Sequence, residues 1–274
     1  TPRLKSIEIP SNKIIDVPSY SQYIRDKNIG GVICSPTSIT MLLNRRNENL
    51  IVEETAWSCF DYDYEAFGNW LFNVAFASSL GYESFVEYGN LKSLKREIYS
   101  EYPVAVSVKY TNDINNLEYP YIENAPITTA GNILVVRGFE KKDGIDYVVV
   151  NDPAGKSNES VTRRYKLSEF ESAWHRGSNI MYIIHDKEVE INNNRIEASL
   201  ELKNNKENLY SVLVNDTYLD LSSDFVKTIL ITYDNGLTFE YLVPYNNHYL
   251  ALENKNKCVI YIIGSDGFTY VCNC

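Results

Sequence analysis

Cys34 stands where a loop turns into a helix, in the segment GGVICSPTSITMLL that begins at Gly30. Pro36 suits the first turn of a helix, because its missing N–H needs no partner there, and Ser35 is a candidate N-cap. The unpaired N–H groups of a helix start favour a thiolate, which is the nucleophilic form of cysteine. Two interpretations of Cys34 stay open at this point: a reactive nucleophile, or a small residue of the core.

Two further polar residues could assist such a nucleophile. Gln22 lies 12 residues before Cys34, and its amide could donate to a developing oxyanion together with the backbone N–H of Cys34. Asp152 follows a strand-like run and precedes Pro153, so its carboxylate is expected at the mouth of a loop, where it could orient a catalytic imidazole. Taken alone, Gln22 also fits a surface position, and Asp152 also fits a turn before proline.

The elements that must position these residues change in type along the chain. Helical patterns come first and strand patterns follow, which predicts an α+β domain. We predict helices over residues 37–45, 52–59, 69–80 and 91–99, a short capped helix from 168 toward 174, and strands over 103–109, 133–138, 147–151, 161–167 and 180–185.

The C-terminal part of the chain has a different pattern. Residues 188–208 are rich in charged and amide side chains, and we interpret them as a connection with at most one short strand. Beyond it the pattern is all β, with hairpin signals at Asp234-Asn235-Gly236 and Ser265-Asp266-Gly267. The predicted strands cover 210–213, 226–233, 237–243, 249–252 and 259–263. We therefore predict two domains, one over residues 1–187 and a β-sandwich-like accessory domain over 188–274.

Three cysteines lie close to the last predicted hairpin. A three-residue loop over 265–267 would place Cys258 opposite Cys274, whereas a loop shifted by one residue would place it diagonal to both Cys272 and Cys274. A disulfide, free thiols and a metal-binding Cys-x-Cys pair all stay open, although two further ligands at a suitable spacing are missing for a metal.

Charge and composition exclude several classes of protein. The 274 residues carry a formal net charge of -10, which argues against a nucleic-acid partner. No apolar run approaches the roughly 18 residues that a membrane-spanning helix needs. We expect no cofactor and no metal, and a hydrophobic share of 44% is enough to build a globular core.

Several segments together resemble a known family. The chain resembles the bacterial double-glycine leader peptidase-like proteins in seven segments. They are VPSYSQ from Val17, CSPTS from Cys34, FGNW from Phe67, FNVA from Phe72, GNILVVRGF from Gly131, VNDPA from Val150 and EFESAW from Glu169. That group consists of cysteine peptidases of papain-like fold, and the resemblance covers residues 14–185. It implies a papain-like α+β fold, a peptide or protein substrate, Cys34 as nucleophile, Gln22 as oxyanion donor and Asp152 as the orienting residue.

One position departs from the pattern of that family. Where the family has glycine–histidine, this chain has Gly131-Asn132, and an amide cannot accept and return a proton near neutral pH. The loss of general acid–base catalysis costs about 10²–10⁴ in rate. Asn132 fits a natural substitution in a non-catalytic relative, an engineered replacement, or a site in which another histidine takes over: His175, His185 or His248.

The sequence thus leads to one main functional hypothesis and two alternatives. The main hypothesis is a cysteine peptidase-like hydrolase that acts on peptide bonds and is impaired by Asn132. The alternatives are a protein that binds a peptide without cutting it, and an acyltransferase that uses the same thiol. Relatives in this group are often exported, so the resemblance also implies a bacterial, extracellular or surface location.

Overall fold

The computed structural model describes residues 12–191, 194–253 and 257–274. The chain divides into two compact units, with the boundary after Ile191. The predicted α+β class is confirmed, because the first unit combines helices with an antiparallel sheet and a separate all-strand unit follows at the C-terminus. The predicted domain limits, 1–187 and 188–274, stay a prediction, because compactness alone does not show that each part folds independently.

In its described residues, 12–191, the first unit contains five α-helices and a sheet of seven strands. The helices are α1 (Cys34–Asn44), α2 (Val52–Ser58), α3 (Trp70–Ser79), α4 (Leu91–Tyr99) and α5 (Leu167–Arg176). The strands are β1 (Lys13–Ile14), β2 (Tyr82–Tyr88), β3 (Val104–Tyr110), β4 (Thr129–Lys142), β5 (Ile145–Asn151), β6 (Thr162–Lys166) and β7 (Ile180–Lys187). The strands follow the order β2-β7-β3-β4-β5-β6, and β1 pairs with β4. Every pairing in this sheet is antiparallel.

Helix α1 is the central helix of this unit. Every residue from Ser35 to Leu43 is buried, so this helix is enclosed rather than amphipathic. Ser35 does not cap the helix, because Cys34 already belongs to its first turn; the Ser35 hydroxyl instead hydrogen-bonds the Tyr182 hydroxyl of β7 at 3.0 Å. The Ser38 hydroxyl donates to the carbonyl of Ile133 in β4 at 2.9 Å. These buried hydroxyls fix the helix against the sheet and thereby fix the position of Cys34.

The second unit contains eight strands in its described residues, 194–253 and 257–274. They are β8 (Arg195–Asn204), β9 (Leu209–Val214), β10 (Thr217–Tyr218), β11 (Val226–Thr232), β12 (Glu240–Tyr241), β13 (Leu250–Ala251), β14 (Val259–Gly264) and β15 (Thr269–Asn273). The first half of β8 pairs in parallel with β15, and its second half pairs antiparallel with β9. The prediction of a connection with at most one short strand over 188–208 is wrong about the length of that strand, because the ten-residue strand β8 joins the two ladders of the unit.

The predicted strand over 237–243 is also too long. Only Glu240 and Tyr241 pair with β11. Asp234 explains the difference, because its carboxylate accepts from the Thr232 hydroxyl at 2.8 Å and from the Thr238 hydroxyl at 2.6 Å. The loop after β11 is therefore closed by side-chain hydrogen bonds over several residues, and the strand begins later than the pattern predicts.

The register of the last hairpin determines which cysteines are paired. Val259 lies opposite Asn273 and Ile263 opposite Thr269, which is the register of a three-residue loop over 265–267. In this register Cys258 faces Cys274, and the two form a disulfide with a Cα–Cα distance of 5.0 Å. Cys272 stays a buried free cysteine.

No helix in the described part of the chain is both long enough and apolar enough to cross a membrane.

The disulfide closes a loop with a sequence separation of 16, and a loop of that size contributes about 3 kcal/mol through the unfolded state. We expect Cys274→Ser to lower the free energy of unfolding of the second unit by about this amount, measured by urea denaturation under oxidising conditions. With a reductant, the unmodified chain and the variant should unfold alike. A reductant that destabilises both proteins equally would contradict this account.

His185 connects three elements of the first unit. Its Nδ1 lies 2.8 Å from Glu83 Oε2 in β2, and its Nε2 lies 2.9 Å from Glu97 Oε2 in α4. Burial lowers the pKa of His185, but the hydrogen bonds and negative charges of Glu97 and Glu83 outweigh that effect, so that the net pKa is raised.

Because the pKa of His185 is raised in the folded state, the ionic interactions of His185 stabilise the fold fully below the unfolded pKa of about 6.5. This stabilisation is lost as the pH rises through the folded pKa. We therefore expect His185→Gln to destabilise the chain most at acidic pH. The difference in unfolding free energy between the two proteins should shrink from about pH 5.5 to about pH 8.5, as measured by urea denaturation. A difference that stays constant or grows with pH would show that His185 does not act through its charge.

Candidate active site

The chain before α1 is bound to the loop that follows Asp152. The backbone N–H of Gln22 donates to the carbonyl of Pro153 at 2.9 Å, and the hydroxyl of Ser21 donates to the carbonyl of Gly155. The Asn151 side chain at the end of β5 donates to the carbonyls of Val17 and Pro18. These bonds bring Gln22, which is far from Asp152 in sequence, to the end of β5.

The Gln22 side chain is buried and oriented by one hydrogen bond. Its Nε2 donates to the carbonyl of Gly30 at 2.9 Å, and its Oε1 is buried without a hydrogen-bond partner in the described part of the chain. The loop can approach this closely only because residue 30 is glycine, since a Cβ there would lie 2.8 Å from the carbonyl oxygen of Gln22. An amide nitrogen carries two hydrogens, so one Nε2–H is not used by Gly30.

Cys34 is the first residue of α1 and is partly exposed. Burial of the thiol raises its pKa; hydrogen bonds from the backbone N–H groups of Ile133, Ser35 and Cys34 lower it, and the charge of Asp152 raises it. The net pKa is higher than that of an ordinary thiol. The N–H groups thus lower the pKa of Cys34 as the sequence predicts, but burial and Asp152 outweigh them; the role of Cys34 as a nucleophile stays a prediction.

Asp152 is fully buried, and its carboxylate accepts four hydrogen bonds. Its Oδ1 accepts from Asn132 Nδ2 and from the backbone N–H of Ala154, both at 3.0 Å. Its Oδ2 accepts from the Tyr110 hydroxyl at 2.7 Å and from the Tyr165 hydroxyl at 2.8 Å. A buried charge is tolerated when it is fully hydrogen-bonded, and here all four donors are neutral groups.

Asn132 lies between the cysteine and the carboxylate. It belongs to β4 opposite Val108, and the next residue, Ile133, supplies the N–H that bonds Cys34. Its Nδ2 donates to Asp152 Oδ1 at 3.0 Å and to the Tyr110 hydroxyl at 3.1 Å, which uses both hydrogens of the amide. The structure thus brings Cys34, Asn132 and Asp152 together, and Gln22 is attached to the same loop.

The part of the chain that carries these residues matches one protein family. A family model described as Peptidase_C39 like family matches residues 14–181. The chain belongs to the Peptidase_C39 like family. The predicted resemblance is thereby confirmed, as is a papain-like cysteine-peptidase fold for the first unit.

Several solved structures are similar to this C39-like chain. A double-glycine-motif protease from an AMS/PCAT transporter, solved in complex with the leader peptide, is 17% identical over 63% of this chain and 93% of its own, with a TM-score of 0.41. A C39-like peptidase from Bacillus anthracis is 16% identical over 65% of this chain and 100% of its own, with a TM-score of 0.47. Procathepsin L 3 of Tenebrio molitor is 12% identical over 68% and 73%, with a TM-score of 0.46. No curated protein sequence matches the chain.

His185 of this C39-like chain lies away from the end of α1 that carries Cys34. His185 bonds Glu83 and Glu97, and its neighbour Asp186 pairs with Arg46, just beyond the C-terminus of α1. Since α1 has 11 residues, this end is about 16 Å from the end that carries Cys34.

The other two histidines are exposed. His175 belongs to the last turn of α5, because this helix continues past residue 174, toward which the sequence predicts it. His248 is part of the second unit. Within the described residues, the donors to the Asp152 carboxylate do not include His175.

Three tyrosines of the site are not predicted from the sequence. Tyr110 ends β3 and Tyr165 lies in β6, and both are fully buried. Tyr23 follows Gln22; burial raises its pKa, and the charges of Asp152 and Cys34 raise it further, so its hydroxyl lies close to both groups. The chain contains 22 tyrosines, and no spacing in the sequence distinguishes these three from the rest.

The direction in which Asp152 shifts the pKa of the Cys34 thiol can be tested. We expect Asp152→Asn to lower the pKa of the Cys34 thiol, because the carboxylate charge that raises it is removed. The measurement is the rate of iodoacetamide alkylation of Cys34 against pH, followed by peptide mass spectrometry.

Cys59 and Cys272 provide the control for folding in this experiment. Both are buried, and they must stay unmodified while the variant is folded. A pH midpoint that is unchanged or higher, with Cys59 still protected, would contradict the electrostatic account of Cys34.

Proposed function

We propose that this chain binds a peptide in a cysteine-peptidase-like site and does not hydrolyse it at an appreciable rate. The observation that carries the proposal is the 3.0 Å hydrogen bond from Asn132 Nδ2 to Asp152 Oδ1. In the family pattern a histidine stands at this position, and an Asp bonded to a histidine N–H orients a general acid–base. In this chain the same carboxylate orients an amide, which cannot act as a general acid or base near neutral pH.

Two separate effects of Asn132 disable hydrolysis in this proposal. An imidazolium next to a thiol lowers the pKa of the thiol, whereas a neutral amide leaves the raised pKa of Cys34 as it is. Cleavage of a peptide bond also requires a proton for the leaving amine, and the amide side chain cannot supply one. Because the thiol has a raised pKa and no side chain at position 132 can protonate the leaving amine, both steps of a thiol-dependent hydrolysis are slow.

The remaining residues keep roles that suit the binding of a peptide carbonyl. The backbone N–H of Cys34 and the second N–H of Gln22 can donate to a carbonyl oxygen. Asp152 holds the side chain at position 132. Membership of the C39-like family supports a peptide as the ligand, and we extend to this chain the ligand class of the double-glycine-motif protease, which was solved with a leader peptide.

Restoring the histidine tests this proposal. We expect Asn132→His to gain cleavage of a mixed peptide library by about 10²–10⁴-fold over the unmodified chain, because it returns general acid–base catalysis. Products are identified by mass spectrometry, and the double variant with Cys34→Ala is the blank. The unmodified chain should retain peptides on ultrafiltration without releasing Cys34-dependent products.

Two results would contradict the proposal. Cys34-dependent cleavage by the unmodified chain at the rate of the Asn132→His variant would show that another base serves the thiol, and His175→Gln and His248→Gln would then identify it. A failure of both proteins to retain any peptide would show that the site is not a peptide-binding site. Repeating the assay with an added amine separates acyl transfer from hydrolysis.

A further inference from the structure

Tyr110 is the one side chain that bonds both Asp152 and Asn132 in the described part of the chain. Its hydroxyl donates to Asp152 Oδ2 at 2.7 Å and accepts from Asn132 Nδ2 at 3.1 Å. The tyrosine is fully buried at the end of β3, in the strand that pairs with β4, where Asn132 lies. A hydroxyl has a single hydrogen, so the direction of both bonds is fixed once the carboxylate takes that hydrogen.

Tyr165 is a matched comparison within the same site. It is also fully buried, and its hydroxyl donates to the same oxygen, Asp152 Oδ2, at 2.8 Å. No bond joins Tyr165 to Asn132 among the described contacts. Burial and the charge of Asp152 raise the pKa of both tyrosines well above the ordinary value, so both hydroxyls keep their hydrogen and act as donors.

We infer that Tyr110 is a positioning residue, whose hydroxyl fixes the orientation of the side chain at position 132, whereas Tyr165 stabilises only the carboxylate. Nothing in the family assignment gives either tyrosine a role. The inference rests on the proposed function only in so far as position 132 belongs to the binding site.

The nitrogen and the oxygen of the Asn132 amide fit its two neighbours differently. If the Asn132 amide were reversed, its oxygen would face Asp152 Oδ1, and it would also face the Tyr110 oxygen, whose hydrogen already goes to Asp152. Two acceptors facing each other repel, so both neighbours select the observed orientation. Because both Nδ2 hydrogens are held in this way, the Asn132 oxygen points away from the carboxylate and is the atom left to accept from an N–H of a ligand.

Nuclear magnetic resonance of the unliganded chain tests this role. The protein is labelled with ¹⁵N-asparagine, and Asn132→Ala identifies the Asn132 side-chain signals by their loss. We expect Tyr110→Phe to shift these signals and to speed the solvent exchange of one of the two hydrogens by about tenfold, the equivalent of one hydrogen bond. Tyr165→Phe should leave both the signals and their exchange close to those of the unmodified chain.

Two outcomes would overturn the inference: unchanged Asn132 signals in Tyr110→Phe, or an equal response to Tyr165→Phe. If Tyr110→Phe does not fold, the reciprocal experiment decides. With ¹³C-tyrosine, Asn132→Ala should move the ring signal of Tyr110 and leave that of Tyr165, and a change in both or in neither would overturn the inference. No peptide enters these measurements, so a chain that binds no peptide would refute the proposed function and leave the result on Tyr110 intact.

Discussion

The buried carboxylate of Asp152 is the constraint on which the rest of this site depends. A carboxylate without solvent must be matched by hydrogen-bond donors, because an unpaired buried charge is very costly. The donors come from three different strands and from the loop itself: Tyr110 in β3, Asn132 in β4, Tyr165 in β6 and the N–H of Ala154. The carboxylate of Asp152 therefore links β3, β4 and β6 through hydrogen bonds in the part of the sheet next to Cys34.

The way in which this charge is balanced also determines the chemistry of the thiol. All four donors are neutral groups, and the negative charge of Asp152 raises the pKa of Cys34. The helix start acts in the opposite direction through the N–H groups of Ser35 and Cys34, but burial is the larger effect. A helix N-terminus alone thus does not make a cysteine reactive, and a positive partner is needed to turn such a thiol into a thiolate.

Local patterns in the sequence predict the helices well and the strands unevenly. Helix α4 lies within one stretch of regular apolar spacing, and its predicted and observed limits, Leu91 and Tyr99, coincide. Strand β2 is absent from the sequence prediction and β8 is longer than the one short strand predicted there, because exposed and half-buried residues mix with charged side chains in both and produce little net hydrophobicity. Within the site, Asn132 was singled out only through the family resemblance. Tyr110 and Tyr165 carry no local signal, because their role comes from the pairing of strands distant in sequence.

The central claim is that residue 132 decides whether Cys34 is a thiolate. The most direct test is the pH dependence of iodoacetamide alkylation of Cys34 in the unmodified chain, in Asn132→His and in the matched neutral variant Asn132→Gln. The account predicts that the midpoint falls by about 1–3 units in Asn132→His alone, because an imidazolium then faces the thiol. It would be contradicted if the unmodified chain already titrates below the ordinary thiol value of about 8.5, or if Asn132→His leaves the midpoint unchanged.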